Sequence, residues 1–176
     1  MISPTHVLTA AHCTESFSNF DIIVGEHYVT SNEDGTRHQT CRSVTHPSYN
    51  SPSRINNDFS MVHLRQPVDI GLRAATACLP DSTMAGNYLA GKSLTVSGWG
   101  ALSAGGSTPN VLHKVIVPGL TNAECVQSYS GNTITDQMLC AGNIDQGGVD
   151  SCQGDSGGSQ RLKIFIYSWS RHCAPN

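Results

Sequence analysis

The residue types best suited to covalent chemistry lie in one run, Asp150-Ser151-Cys152-Gln153-Gly154-Asp155-Ser156-Gly157-Gly158. Ser156 stands between an acid and two glycines. A serine attacks a carbonyl only when its hydroxyl is exposed, a base takes its proton and N–H groups face the developing oxyanion. Glycines permit the tight loop this needs, because they take positive φ without a Cβ clash. The same composition also makes ordinary surface turns, so the run alone fits either role. Two other segments supply what it lacks. Leu8-Thr9-Ala10-Ala11-His12-Cys13 offers an imidazole among small residues. Asn56-Asn57-Asp58-Phe59-Ser60-Met61-Val62 offers a carboxylate at the mouth of a strand-like run. Alone, His12 reads as a core histidine and Asp58 as a turn aspartate. An imidazole can act as a base, and a carboxylate placed beside it can fix its tautomer.

The elements that must carry these groups are mostly strands. Val7, Leu8 and Thr9 favour a strand leading to His12. Ile22-Ile23-Val24-Gly25-Glu26-His27 reads as a strand entering a loop, which runs from Thr30 through Arg37. Ser43-Val44-Thr45-His46-Pro47 is a strand ended by proline, and residues 48–57 are a Ser/Asn/Pro-rich surface loop. Asp58 then opens the strand Phe59–Leu64. Residues 65–91 lack periodicity and read as a crossover between halves. The second half opens with the strand Leu94–Gly100, followed by a flexible loop at Ala104–Ser107 and an alternating strand from Val111 to Val117, stopped by Pro118-Gly119. Thr121-Asn122-Ala123-Glu124 is a capping box, so a short helix begins there.

Composition narrows the classes. The chain has 176 residues, 38% of them hydrophobic, enough for a packed core in one domain. A net charge of −3 with 13% charged residues offers no basic stripe for nucleic acid. No apolar run approaches membrane-spanning length. Seven cysteines (13, 41, 78, 125, 140, 152 and 173) suit an oxidising, extracellular setting, and an odd count leaves at least one unpaired within the chain. No CxxC pair or Cys/His quartet suggests structural zinc.

The three segments, in the order His, Asp, Ser with Ser97-Gly98-Trp99-Gly100 between, resemble the chymotrypsin/trypsin-like serine proteases. The resemblance runs to about Gly158 and returns weakly in Ser168-Trp169-Ser170 and Cys173. It implies an all-β fold of two antiparallel β-barrel lobes with the active site between them, residues 1–78 and 91–176 forming the lobes. It implies His12 as base, Asp58 as orienting acid and Ser156 as nucleophile, following the general template for such triads. Gly154 and Ser156 would supply the oxyanion N–H groups. Asp150 would sit at the floor of a substrate pocket lined by Ser151, Gln153, Ser168, Trp169 and Ser170, favouring cleavage after Arg or Lys. Disulfides Cys125–Cys140 and Cys152–Cys173 follow from the same likeness. Protein substrates and macromolecular protease inhibitors would be its partners, in an extracellular setting.

The likeness also breaks in places. Cys13 lacks the upstream partner usual in the family, Cys78 falls where a tether to another segment is common, and Cys41 matches no family position. A Cys41–Cys78 bridge is allowed by the sequence but not selected by it. Some relatives bind calcium in the loop after the second strand; Glu26 and Glu33 fit, while Arg37 opposes a cation, so no cofactor is the expectation and calcium the exception. Ser170 and Arg171 stand where a narrower, less cation-friendly pocket would result. Asp155 would need an N-terminal ammonium that this sequence does not offer, and the final strand and helix of the family have no counterpart. The expectation is a chain truncated at both ends, with both lobes incomplete, weakly active or zymogen-like. The competing expectation is a non-cleaving homologue that binds proteins.

Overall fold

The computed structural model describes residues 1–30, 35–80, 86–103, 105–128, 134–143 and 154–156. They form an almost all-β molecule with two antiparallel sheets. The first contains β1 (His6–Thr9), β2 (Asp21–Val24), β3 (Thr36–Thr45) and β4 (Ser60–Leu64), in the order β1-β4-β3-β2. The second contains β5 (Ser93–Gly98), β6 (His113–Leu120) and β7 (Cys140–Ala141), in sequence order. One short helix, α1 (Asn122–Ser128), precedes β7.

Period-two alternation explains β4. Ser60, Val62 and Leu64 point inward and are buried, while Met61 and His63 are half-buried. Val62 and Leu64 pack with Val68, and Val7, Phe20, Ile22 and Val24 close over them. Burial of each such aliphatic side chain contributes about 2 kcal/mol. The second core is separate: Leu89, Leu94, Val96, Val117 and Ala141 pack together, with Val115 and Leu139 against them.

Two strands run further than the sequence indicates. β3 begins at Thr36, so Arg37 lies in a ladder opposite Ile23 rather than in a loop. A register shift between Thr40 and Arg42 gives β3 a bulge at Cys41, which is exposed and free, as is Cys78. β6 continues through Pro118 and Gly119 to Leu120. Proline removes only a donor; its carbonyl still accepts from Gly142 N–H at 2.9 Å. Gly119 is needed because a Cβ there would lie 2.1 Å from the Leu89 carbonyl oxygen. The capping box of α1 forms in full: Thr121 N–H donates to Glu124 Oε2 at 2.8 Å and Glu124 N–H donates to Thr121 Oγ1 at 3.2 Å. Cys125 of α1 is bonded to Cys140 of β7.

The two halves meet along a polar seam. The His27 carbonyl accepts from Leu112 N–H at 3.0 Å and from the Trp99 indole at 3.2 Å. Asn110 accepts from the backbone N–H of Val29 and from Thr30.

Candidate active site

β1 delivers the chain into a single 3-10 turn, Ala11–Cys13, that carries His12. Ala10 and Ala11 are fully buried, so no larger side chain holds the turn away from its surroundings. β4 begins beside it, with Thr9 opposite Ser60. This register places Asp58, two residues before Ser60, next to His12. Asp58 Oδ2 accepts from His12 Nδ1–H at 2.6 Å, and Asp58 Oδ1 accepts from the His12 backbone N–H at 2.9 Å. One carboxylate therefore fixes both the ring and the main chain that bears it. The Asp58 side chain is 1% exposed and the His12 side chain 28%.

The loop before Asp58 is unusually constrained. Asn50, Ile55 and Asn57 all have positive φ, of 64°, 63° and 53°. Asparagine tolerates this region, but a β-branched isoleucine there is strained by about 1 kcal/mol or more. The side chain of Asn50 offsets part of that cost by accepting from Ile55 N–H at 2.7 Å.

Cys13 touches both His12 and the second half. Cys13 Sγ lies 3.5 Å from Nε2, and the thiol donates to the Ser156 carbonyl oxygen at 3.6 Å. Ser156 is exposed. The Asp58 hydrogen bond, then that with Cys13, raises the His12 imidazole from its usual 6.5 to about 10, against the opposing effect of partial burial. Both ring nitrogens are engaged, Nδ1 by Asp58 and Nε2 by Cys13, and both contacts favour the protonated ring. The contact with Cys13 has no counterpart in the sequence reading, since adjacent residues give no sign of how their side chains turn.

Gly154 and Asp155 sit against the Gly98-Trp99-Gly100 corner. Gly154 has φ of 105°, and a Cβ on it would lie 3.1 Å from Gly100 Cα. Asp155 Oδ1 accepts from Gly100 N–H at 2.7 Å. A Cβ on Gly98 would fall 2.0 Å from Asp155 Oδ1, and one on Gly100 would fall 2.4 Å from Asp155 Cγ. The glycine corner thus gives the Asp155 carboxylate a hydrogen-bond donor within the chain. Asp150, Ser151, Gln153, Ser168, Trp169 and Ser170, and the cysteines Cys152 and Cys173, lie outside the described residues.

The loop after β2 bears on calcium. Both carboxylate oxygens of Glu26 are buried and have no hydrogen-bond partner among the described residues. Arg37, expected to oppose a cation there, instead donates to Asp21 at 3.2 Å. A buried carboxylate is one of the roughly six to eight oxygen ligands that calcium takes. Glu33 lies outside the described residues, and no group of three potential ligands occurs among the described ones.

Comparison with known proteins agrees with this geometry. The family model described as Trypsin matches residues 1–176. The chain is 38% identical over 182 residues to a trypsin of Phaedon cochleariae, covering 99% of this chain and 68% of that protein. It is 36% identical to a trypsin of Sus scrofa over 99% of this chain and 74% of the relative. It also aligns, at 36% identity and over 99% of its length, with 24% of the serine proteinase stubble of Drosophila melanogaster.

Proposed function

Because this chain belongs to the trypsin family of serine proteases, we propose that it is a serine endopeptidase that cleaves after Arg or Lys through Ser156, His12 and Asp58. The observation that carries this reading is the two-point hold of Asp58 on His12, at 2.6 and 2.9 Å. Such a hold serves an imidazole that must keep one tautomer while its other nitrogen exchanges protons.

In the proposed reaction, neutral His12 takes the Ser156 hydroxyl proton at Nε2 as Oγ bonds to the substrate carbonyl carbon. The N–H groups of Gly154 and Ser156 receive the oxyanion; removing one such donor costs about 3 kcal/mol. The C–N bond then breaks, and His12 returns the proton to the departing amine. Water, deprotonated by the same nitrogen, hydrolyses the acyl-enzyme and restores Ser156. Asp150 would pair with the cationic substrate side chain, and protein inhibitors that present such a side chain would compete for the same cleft. A disulfide between Cys125 and Cys140 supports an extracellular setting. Among the described residues no helix is long and apolar enough to cross a membrane. Calcium, where bound, would use Glu26 to stiffen the loop after β2 and would take no part in the chemistry.

A second reading rests on Cys13. Its sulfur stands at the nitrogen that the base must use, as suits a homologue that binds proteins without cutting them. Incubating the protein with a denatured polypeptide and mapping new termini separates the two. Cleavage after Arg and Lys that disappears in Ser156→Ala supports the protease; no cleavage by folded protein supports the binding homologue; cleavage after other residues removes the Asp150 assignment.

A further inference from the structure

His12 and Asp58 belong to the first half of the molecule and Ser156 to the second. Their alignment therefore depends on the seam between the halves. Two residues before Asp58, that seam contains a buried amide. Asn56 is 1% exposed, and the sequence gives it only a turn role. Its Oδ1 accepts from the Thr135 hydroxyl, and its Nδ2 donates to the Ser51 carbonyl at 2.7 Å. Its own N–H donates to Ser53 O at 3.2 Å, and its carbonyl accepts from Asn50 N–H at 2.9 Å.

Resting on the triad reading above, we propose that Asn56 is a positioning residue: its amide latches the loop that ends in Asp58 to Thr135 of the second half, and this latch sets the Asp58–His12 pair. There is little slack between latch and carboxylate. Asn57, the one residue between, is held in the left-handed region, and its amide donates to Ser48 O at 3.2 Å and Ser51 O at 2.9 Å. On the far side Phe59 N–H donates to Asn57 O at 2.9 Å. Thr135 is equally fixed. Its carbonyl accepts from Asn122 Nδ2 at 3.1 Å and from Met138 N–H at 3.0 Å. Asn122 opens α1, and the Cys125–Cys140 disulfide ties α1 to β7. A displacement of Thr135 is therefore transmitted to Asp58 through bonded groups. An apolar pair of similar volume could fill the same space, but it would not fix the register of the two halves.

The test uses Thr135→Val, which keeps shape and removes the donor, and Thr135→Ser, which keeps the donor. Two readouts are followed: the low-field proton resonance of the His12 Nδ1–H···Asp58 bond, and the rate at which a fluorophosphonate labels Ser156. Thr40→Val is the matched control, because Thr40 also donates to a carbonyl oxygen, here the backbone one of Phe20, at the end of β3 remote from Ser60. The latch predicts that Thr135→Val and Asn56→Ala broaden or shift the resonance and slow labelling by about 10-fold, the scale of a small misplacement. Thr135→Ser restores both, and Thr40→Val lowers the melting temperature without moving the resonance. A folded Thr135→Val protein with an unchanged resonance overturns the latch, as does a folded unsubstituted protein with no low-field resonance. If Asn56→Ala does not fold, the valine–serine pair at Thr135 decides. If the unsubstituted protein shows the resonance but takes no label, the triad reading fails while the resonance still decides the latch.

Discussion

The two sides of the cleft are held in different ways. On the first, His12 sits on the turn that follows β1 and Asp58 just before β4, the strand paired with β1, and Asp58 is buried with both oxygens engaged by one residue. On the second, Ser156 is exposed, and the strongest described hold on its neighbourhood is one hydrogen bond from Gly100 to Asp155. The base is therefore set by the sheet itself, whereas the nucleophile depends on how a loop docks into a glycine corner. Substitutions on the first side should abolish the proton relay outright. Those on the second should alter the shape of the oxyanion site while leaving the imidazole intact.

The largest effect expected is from Asp58→Asn. It removes the charge and allows the wrong His12 tautomer, and fluorophosphonate labelling of Ser156 should fall by roughly 10⁴-fold with little change in the circular dichroism spectrum. Next is Gly100→Ala, whose Cβ would overlap the Asp155 carboxylate. Labelling should fall by about 10²- to 10³-fold through a misplaced oxyanion donor, while the His12 resonances, followed by NMR, keep their positions. If both substitutions moved His12 equally, the two sides would not be independent.

Replacing Cys125 and Cys140 together by serine opens a loop closed by residues 15 apart. A loss of about 3 kcal/mol is expected in a denaturant titration. The smallest of these effects concerns Cys13. Cys13→Ala removes one of the two hydrogen bonds that raise His12 to about 10. Its NMR titration midpoint should move down toward 6.5 but stay above it, because the Asp58 bond remains. Linkage fixes the sign for stability. The folded-state value is raised, so the contribution of this pair is full below about pH 6.5 and is lost as pH rises through about 10. Cys13→Ala should make that loss smaller and complete at lower pH, with its onset still near 6.5.

Much of the fold is legible from local pattern. The alternation in Ser60–Leu64 and the Thr121/Glu124 capping box are short-range signals, and the elements form where those signals stand. Strand ends are less legible: Pro118-Gly119 has the pattern of a stop, yet the Pro118 carbonyl still pairs with Gly142. Local pattern could not join His12 to Asp58, 46 residues apart; their association came from likeness to a family. The Asn56–Thr135 bond, spanning 79 residues, and the turn of Cys13 onto Nε2 leave no trace in periodicity or motif. Both depend on how two halves meet, which a one-dimensional pattern does not encode.

The account stands most directly on the pH dependence of Ser156 labelling by a fluorophosphonate in the intact, folded protein. It predicts a single adduct on Ser156 whose rate of formation climbs with pH toward a midpoint near 10, as His12 gives up its proton, and which vanishes in His12→Ala. A rate independent of pH, an adduct that survives His12→Ala unchanged, or no adduct at any pH at which the protein is folded would contradict it.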